Sequence, residues 1–373
     1  MEKYSRWSDL TTGINPFVPH KQRLHDSLGV RALQLLARAP LLIVRLLLLL
    51  VGGVLLVVTN IIVSVLVSKS CIYPPLCSVL SKLTSDTGQG FVPLLGRFLK
   101  RLVEWLLCSL LLLIMGVFVS EEPANTRRLG LTTPGAKASS KSMRVAAKDV
   151  VVCNHTSFLE ILYLARRFSP VFCFVTEEGA SKGLVHACGL IEAIYRGFAM
   201  PSLEQRGTPR KLEDVILHAA GPVVVFPEGA RTNGKTVLRF LPILEQLPFQ
   251  LSTKNGGKKL ELKIHIIAFR YEFTSFGPNH SAGSGWKHLM WTCLYAYHTA
   301  RVTHLHAKDL NLHDRLRGLL ASMLRTKPVD MTVKDFLSFN AYWSHVTGGG
   351  KKSAAEFTDR KAPHEHAQWT TRK

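Results

Sequence analysis

Two kinds of apolar pattern divide the chain. In its first third, apolar residues run on almost unbroken. Beyond residue 149 they come in short bursts separated by helix-like stretches. Leu46–Val67 is apolar apart from Thr59, Asn60 and Ser64. A run of about 20 such residues can cross a bilayer as a helix. Arg45 stands at its mouth, where a long side chain can reach headgroups while its stem stays in apolar surroundings. Leu102–Val119 is a second run, with Glu104 and Trp105 near its start. It is short for a full span. It reads as a second span, a re-entrant piece, a helix lying in the interface or a core helix.

From Val150 to Leu310, β-like runs alternate with helical patterns. The expected strands are Val150–Cys153, Val171–Val175, Ile191–Tyr195, Pro222–Phe226, Ile264–Phe269 and Val302–Leu305. The expected helices are Ser157–Arg167, Lys211–Ala219 and Trp286–Tyr297, followed by Leu312–Leu324 and Val333–Trp343. Such alternation predicts an α/β domain with a largely parallel sheet flanked by helices, here preceded by N-terminal membrane helices. The implied division is a polar surface arm over 1–40, a membrane-anchoring region over 41–119, a linker over 120–148, the α/β domain over 149–345 and a disordered basic tail over 346–373. Gly13, Pro16 and Pro19 break the arm, which lacks the pattern of a cleavable signal peptide. No internal repeat is visible.

Charge narrows the choice of partners. The 373 residues include 47 Lys and Arg against 26 Asp and Glu, a formal net charge of +21. That surface suits nucleic acid, anionic lipid or anionic metabolites. No basic stretch is interleaved with aromatics, so nucleic acid is not expected, and the apolar runs favour lipid. Two spans would form a hairpin. Arg23, Arg31, Arg38 and Arg45 before it, and Arg127, Arg128, Lys137, Lys141, Arg144 and Lys148 after it, favour the cytosolic side, although the connector is basic too. Asn154-His155-Thr156 and Asn279-His280-Ser281 are glycosylation sequons, and a cytosolic domain predicts sugar on neither. The 7 cysteines are scattered without a C-x-x-C pair, which argues against a disulfide framework or a zinc site. Cys71 and Cys77 are able to pair if their loop is lumenal.

Two strand ends carry the candidate chemistry. At the first, Val150–Cys153 hands over to Asn154-His155 and then to a helix. Carboxyl ends of strands are where α/β folds build sites. A neutral imidazole can take a proton from an attacking hydroxyl, better if a carboxylate holds its tautomer. Glu160 lies one helical turn on. Two readings compete: Glu160 orients His155, or Ser157-Phe158-Leu159-Glu160 is an S-x-x-E capping box and His155 is structural. Ser157 has no G-x-S-x-G elbow and suits an N-cap. Cys153 reads as a small buried hydrophobe. The second strand end is Glu228-Gly229-Ala230-Arg231, after Pro227. Gly229 permits positive φ or close approach, and Arg231 can grip a phosphate bidentately. An ordinary turn with an exposed ion pair is the plainer alternative. Arg196 and Lys235 are able to add positive charge.

Together these pieces resemble the glycerophospholipid acyltransferase family, which contains the 1-acylglycerol-3-phosphate acyltransferases. The family block N-H-x-x-x-x-D corresponds to Asn154-His155-Thr156-Ser157-Phe158-Leu159-Glu160, and F-P-E-G-T-R to Phe226-Pro227-Glu228-Gly229-Ala230-Arg231. Arg196, in Ile194-Tyr195-Arg196-Gly197, matches the arginine of a second block, and Ile264–Phe269 stands in place of a fourth without its proline. The opening MEKYSRWSDLTTGINPFVP looks like a fungal branch of the family associated with endoplasmic reticulum and lipid droplets. The resemblance implies transfer of an acyl group from acyl-CoA, a co-substrate, to the hydroxyl of a lysophospholipid. No resident cofactor or metal is needed. His155 would be the base, oriented by Glu160, with Arg196, Glu228, Gly229 and Arg231 binding the glycerol-phosphate end. The departure is Glu160, a methylene longer than the family's aspartate.

Overall fold

Val150, Val152, Val223 and Val225 point to one side of a sheet, and Val151, Cys153, Val224 and Phe226 to the other. All eight are buried. Successive strand residues face opposite ways, so an apolar run of this kind needs cover on both faces. In the computed structural model, which describes residues 2–20, 27–67, 91–131, 144–199, 208–248, 250–252, 259–273, 276–307 and 315–361, helices supply that cover. Cys71, Cys77, Lys137, Lys141 and residues 362–373 lie outside the described residues.

The elements are, in order, α1 (Leu28–Val67), α2 (Phe91–Ile114), β1 (Val117–Pro123), β2 (Val150–Cys153), α3 (Leu159–Phe168), β3 (Val171–Phe174), α4 (Glu177–Ala180), β4 (Leu184–Cys188), α5 (Leu190–Phe198), β5 (Arg210–Lys211), α6 (Leu212–His218), β6 (Val223–Phe226), β7 (Thr236–Val237), β8 (Gln250–Ser252), β9 (Lys259–Glu261), β10 (Ile264–Tyr271), α7 (Gly285–Leu294), β11 (His298–Ala307), α8 (Leu316–Leu324), β12 (Lys327–Pro328) and α9 (Val333–Thr347). The main sheet runs β1-β11-β10-β2-β6-β3-β4-β5. Its centre, β10-β2-β6-β3, is parallel throughout, and β1 is parallel to β11. The β10–β11, β3–β4 and β4–β5 pairs are antiparallel. The fold is therefore α/β with a mostly parallel mixed sheet. One face packs under α1, α2, α3 and α5, the other under α6, α8 and α9.

Several expected elements differ from those observed. Ile191–Tyr195 is not a strand but part of α5. Leu190, Ala193 and Gly197 recur at helical spacing on its buried side, while Glu192 and Arg196, four apart, pair on the outer side at 2.7 Å. Strand β4 was not anticipated, because His186 interrupts its apolar run. Strand β1 occupies residues assigned to the second apolar run and the linker; it is a sheet-edge strand with exposed Glu121.

Helix α1 begins well before Leu46 and passes through Pro40. Among the described residues it is the one helix long and apolar enough to cross a membrane, over Leu28–Ile62. Arg45 does not reach outward. It is buried and donates to the carbonyls of Cys293, Tyr295 and Ala296 at 3.1, 2.5 and 2.6 Å. Those carbonyls at the end of α7 attract a cation. Helix α2 buries Leu107, Cys108, Leu111 and Leu112 in the same core as α3, and exposes Leu102, Trp105, Leu106 and Leu113.

The polar arm is not a surface element. Trp7 and Phe17 are fully buried, Trp7 stacked on Tyr342 at 5.0 Å and Phe17 among Phe336 and Phe339. The start of the expected disordered tail is also folded: Arg360 pairs with Asp335 at 2.6 Å and accepts from Arg6 through its carbonyl.

Candidate active site

Strands β2, β6 and β3 end side by side, and His155 stands just past the first of them. The end of β2 is pinned by Asn154, whose side chain behaves like another ladder residue. Its Nδ2 donates to the Phe269 carbonyl at 3.0 Å, and its Oδ1 accepts the Phe269 N–H at 2.8 Å. Asn154 is 1% exposed, so its sequon lies in the interior. The His155 imidazole then lies against the terminal rings of its neighbours, Phe226 at 4.6 Å and Phe174 at 6.1 Å.

The S-x-x-E capping box is not formed, since α3 has Phe158 at its N-cap with no side-chain cap bond and Ser157 Oγ accepts the Leu159 N–H at 3.4 Å; Glu160 serves the imidazole and the backbone in another way. Its carboxylate accepts Nδ1–H of His155 at 3.0 Å. It also accepts the backbone N–H of Thr156, at 3.0 and 2.9 Å to its two oxygens, the Thr156 hydroxyl, and the Ser157 N–H at 3.1 Å. The glutamate holds the backbone ahead of α3 and orients the imidazole with the same group. The longer side chain brings its carboxylate within 3.0 Å of Nδ1. A carboxylate can only accept, so Nδ1 carries the proton in this bond, and the neutral form of the ring is the tautomer with its lone pair on Nε2.

The second strand end joins the first through the backbone, where Thr232 N–H donates to the His155 carbonyl at 3.1 Å. Glu228 is buried and accepts the Leu238 N–H at 2.9 Å. Burial first, then the Glu160 carboxylate, pushes its pKa up to about 8, so it is mostly neutral at pH 7. Gly229 has φ +65, and a Cβ there would meet Leu241 at 2.7 Å. Its role in the turn is set by that space. Arg231 is 4% exposed, and is no surface ion pair. It donates to the carbonyls of Gly197 and Ala199, the latter at 2.8 Å, and to His280 Nδ1 at 3.2 Å. Burial lowers its pKa to about 10, with the Glu160 charge opposing, so it remains a cation.

Arg196 is placed differently. Its guanidinium lies over Phe174 at 5.5 Å and pairs with Glu192. One aromatic ring thus separates it from the imidazole. His155 and Glu160 meet directly, the loop carrying Glu228, Gly229 and Arg231 joins them through the Thr232–His155 backbone bond, and Arg196 stands one ring away.

Two contributors escaped the sequence reading. His280, noted only within a sequon, is buried beside Arg231; burial, then Arg231 and His288, push its pKa down to about 2. It stays neutral and accepts from the guanidinium. The second is the stretch Asn15–His20, where the sequence showed helix breakers and part of the opening that carries the resemblance, but no contact with the site. Its alternation of prolines with Phe17 and Val18 was the available signal for a packed extended segment. Among the described residues, no three of His, Cys, Asp and Glu converge as a metal site.

No family model matches the chain, and no solved structure does. A protein of Schizosaccharomyces pombe named "Putative lysophosphatidic acid:oleoyl-CoA acyltransferase" is 24% identical over 252 residues, 66% of this chain and 68% of that protein. The likeness supports acyltransferase chemistry in general and a place in lipid metabolism.

Proposed function

We propose that this chain is a membrane-bound acyltransferase that moves a fatty acyl group from acyl-CoA to the free hydroxyl of lysophosphatidic acid, forming phosphatidic acid. The observation that carries the reading is the His155–Glu160 pair at the carboxyl ends of parallel strands, with the lone pair of the neutral ring on Nε2. The lone pair of Nε2 takes the hydroxyl proton as the oxygen attacks the thioester carbonyl. A C–O bond forms, the C–S bond breaks, and the proton passes from Nε2 to the departing CoA sulfur. Glu160 holds the ring and offsets the charge of the imidazolium. Acyl-CoA is a co-substrate, not a resident group.

Arg196 meets the acceptor phosphate first, being the less enclosed cation. Arg231 joins it by exchanging the Gly197 and Ala199 carbonyls for phosphate oxygens, with Glu228 and Gly229 shaping the loop that carries it. The anchor is α1, whose exposed apolar side includes Leu47, Leu50, Val51 and Val54. In this reading the α/β domain faces the cytosol at the endoplasmic reticulum and lipid droplets.

Purified protein is given labelled oleoyl-CoA and, separately, lysophosphatidic acid, lysophosphatidylinositol and lysophosphatidylcholine. Labelled phosphatidic acid as the dominant product is expected. A preference for lysophosphatidylinositol overturns the acceptor assignment, and no labelled phospholipid from any acceptor overturns the activity.

A further inference from the structure

We infer that the N-terminal segment Asn15–His20 is part of the catalytic apparatus, and that Asn233 and Ser281 are positioning residues through which it sets the His155 turn. The inference rests on the acyl-transfer reading above for its kinetic half only.

Two loops hold the His155-Thr156 turn through the backbone. Thr232 N–H donates to the His155 carbonyl at 3.1 Å, and His280 N–H to the Thr156 carbonyl at 2.7 Å. One residue beyond each contact, the loop is tied to the N-terminal segment. After Thr232 comes Asn233, whose N–H donates to the Pro16 carbonyl at 2.7 Å. Its Nδ2 donates to the carbonyls of Asn15 and Val18, both at 2.9 Å. Its own carbonyl accepts from His20 Nε2 at 2.9 Å. After His280 comes Ser281, whose hydroxyl donates to the Phe17 carbonyl at 2.7 Å. A cross-tie closes the frame, with Asn279 Nδ2 donating to the Asn233 carbonyl at 2.9 Å.

Asn233 and Ser281 are 1% and 0% exposed, so water cannot replace these bonds without opening the loops. The segment is held from its other side as well, since Phe17 sits in the core. The chain of contacts therefore runs from the buried Phe17 through Asn233 and Ser281 to the successive carbonyls of His155 and Thr156. Misplacement of a reacting group by about 1 Å can cost about a hundredfold in rate. Loosening this frame is expected to reduce turnover, and to weaken acceptor binding with it, because Arg231 lies on the Asn233 loop and His280, its partner, precedes Ser281.

Asn233→Asp is the cleanest perturbation. It keeps the shape and replaces the two Nδ2–H donors by an oxygen facing the Asn15 and Val18 carbonyls. Ser281→Ala removes one donor with little change in volume. In the full-length protein each is expected to lower kcat about tenfold or more with KM for acyl-CoA within about twofold. Amide hydrogen exchange across residues 153–157 is expected to accelerate in both, while exchange in β6 and β10 stays at wild-type rates. Equal kcat and equal exchange in the 153–157 segment overturn the inference. Loss of protection throughout the sheet also overturns it, since that outcome marks a general structural role. The exchange readout needs no turnover, so a wild-type protein inactive on every acceptor sinks the acyl-transfer reading and leaves this one to be judged on exchange alone.

Discussion

Replacing Glu160 by glutamine tests the central pair more sharply than removing it. The side chain is fully buried and surrounded only by donors: His155 Nδ1–H, the Thr156 N–H and hydroxyl, and the Ser157 N–H. Glutamine keeps the volume but turns one acceptor into an NH₂ donor. If that NH₂ faces His155, the imidazole must reverse its tautomer, and Nε2 then carries the proton and cannot act as base. If it faces Thr156 and Ser157, buried N–H groups lose their partner. Each such group costs about 1–3 kcal/mol, and each charge-assisted bond weakened costs about as much. The expected loss of stability is about 3 kcal/mol. In Ser–His–Asp triads the corresponding carboxylate-to-amide change costs about four orders of magnitude in kcat. Here a fall of about 10² to 10⁴ is expected. Glu160→Asp should also lose activity, because the carboxylate already sits at 3.0 Å from Nδ1 and a shorter arm withdraws it. Initial rates with labelled oleoyl-CoA, alongside thermal unfolding in the same detergent, decide the matter. Glutamine at wild-type rate and stability would refute the orienting role.

Other outcomes follow from neighbouring groups. Glu228, with a pKa raised to about 8 in the fold, binds a proton that the unfolded chain has released above its ordinary pKa, so its contribution to stability is present at low pH and is lost as pH rises toward 8. Glu228→Gln should therefore gain on wild type between pH 5 and pH 8, by up to about 4 kcal/mol in denaturant titrations; a pH-independent difference contradicts the burial argument. Phe17→Ala empties a fully buried site between Phe336 and Phe339 and should cost about 3–5 kcal/mol, where a surface arm would lose almost nothing. Arg231→Lys cannot hold two carbonyls and His280 together, and kcat/KM should fall about a hundredfold; an unchanged value removes the guanidinium from the site.

The central sheet was legible because its strands carry their own signal. Val150–Cys153 is a strand with the expected bounds, and Val223–Phe226 and Ile264–Tyr271 differ from expectation only at their ends. A run of β-branched residues buried on both faces has few alternatives. Helix α5 was misread because its nine residues, Leu190–Phe198, span too few turns for period to outweigh its local apolar character. The Glu160 contact was legible from spacing, but whether it serves the backbone or the imidazole was not, since one carboxylate does both. The roles of Asn15–His20 and His280 were hidden for a different reason. They depend on contacts between residues distant in sequence, 218 positions for Asn233 with Asn15 and 49 for Arg231 with His280, which no local pattern encodes. Arg45 shows the same limit from the other side. A cation at the mouth of an apolar run reads as a headgroup anchor, yet three carbonyls at the end of α7 claim it.

The imidazole of His155 carries the whole account. Purified His155→Gln protein, with lysophosphatidic acid and labelled oleoyl-CoA, should form phosphatidic acid at least about a thousandfold more slowly than wild type, while unfolding at a similar temperature. Product formation within a few fold of wild type would show that some other group removes the proton and that His155 is not the base.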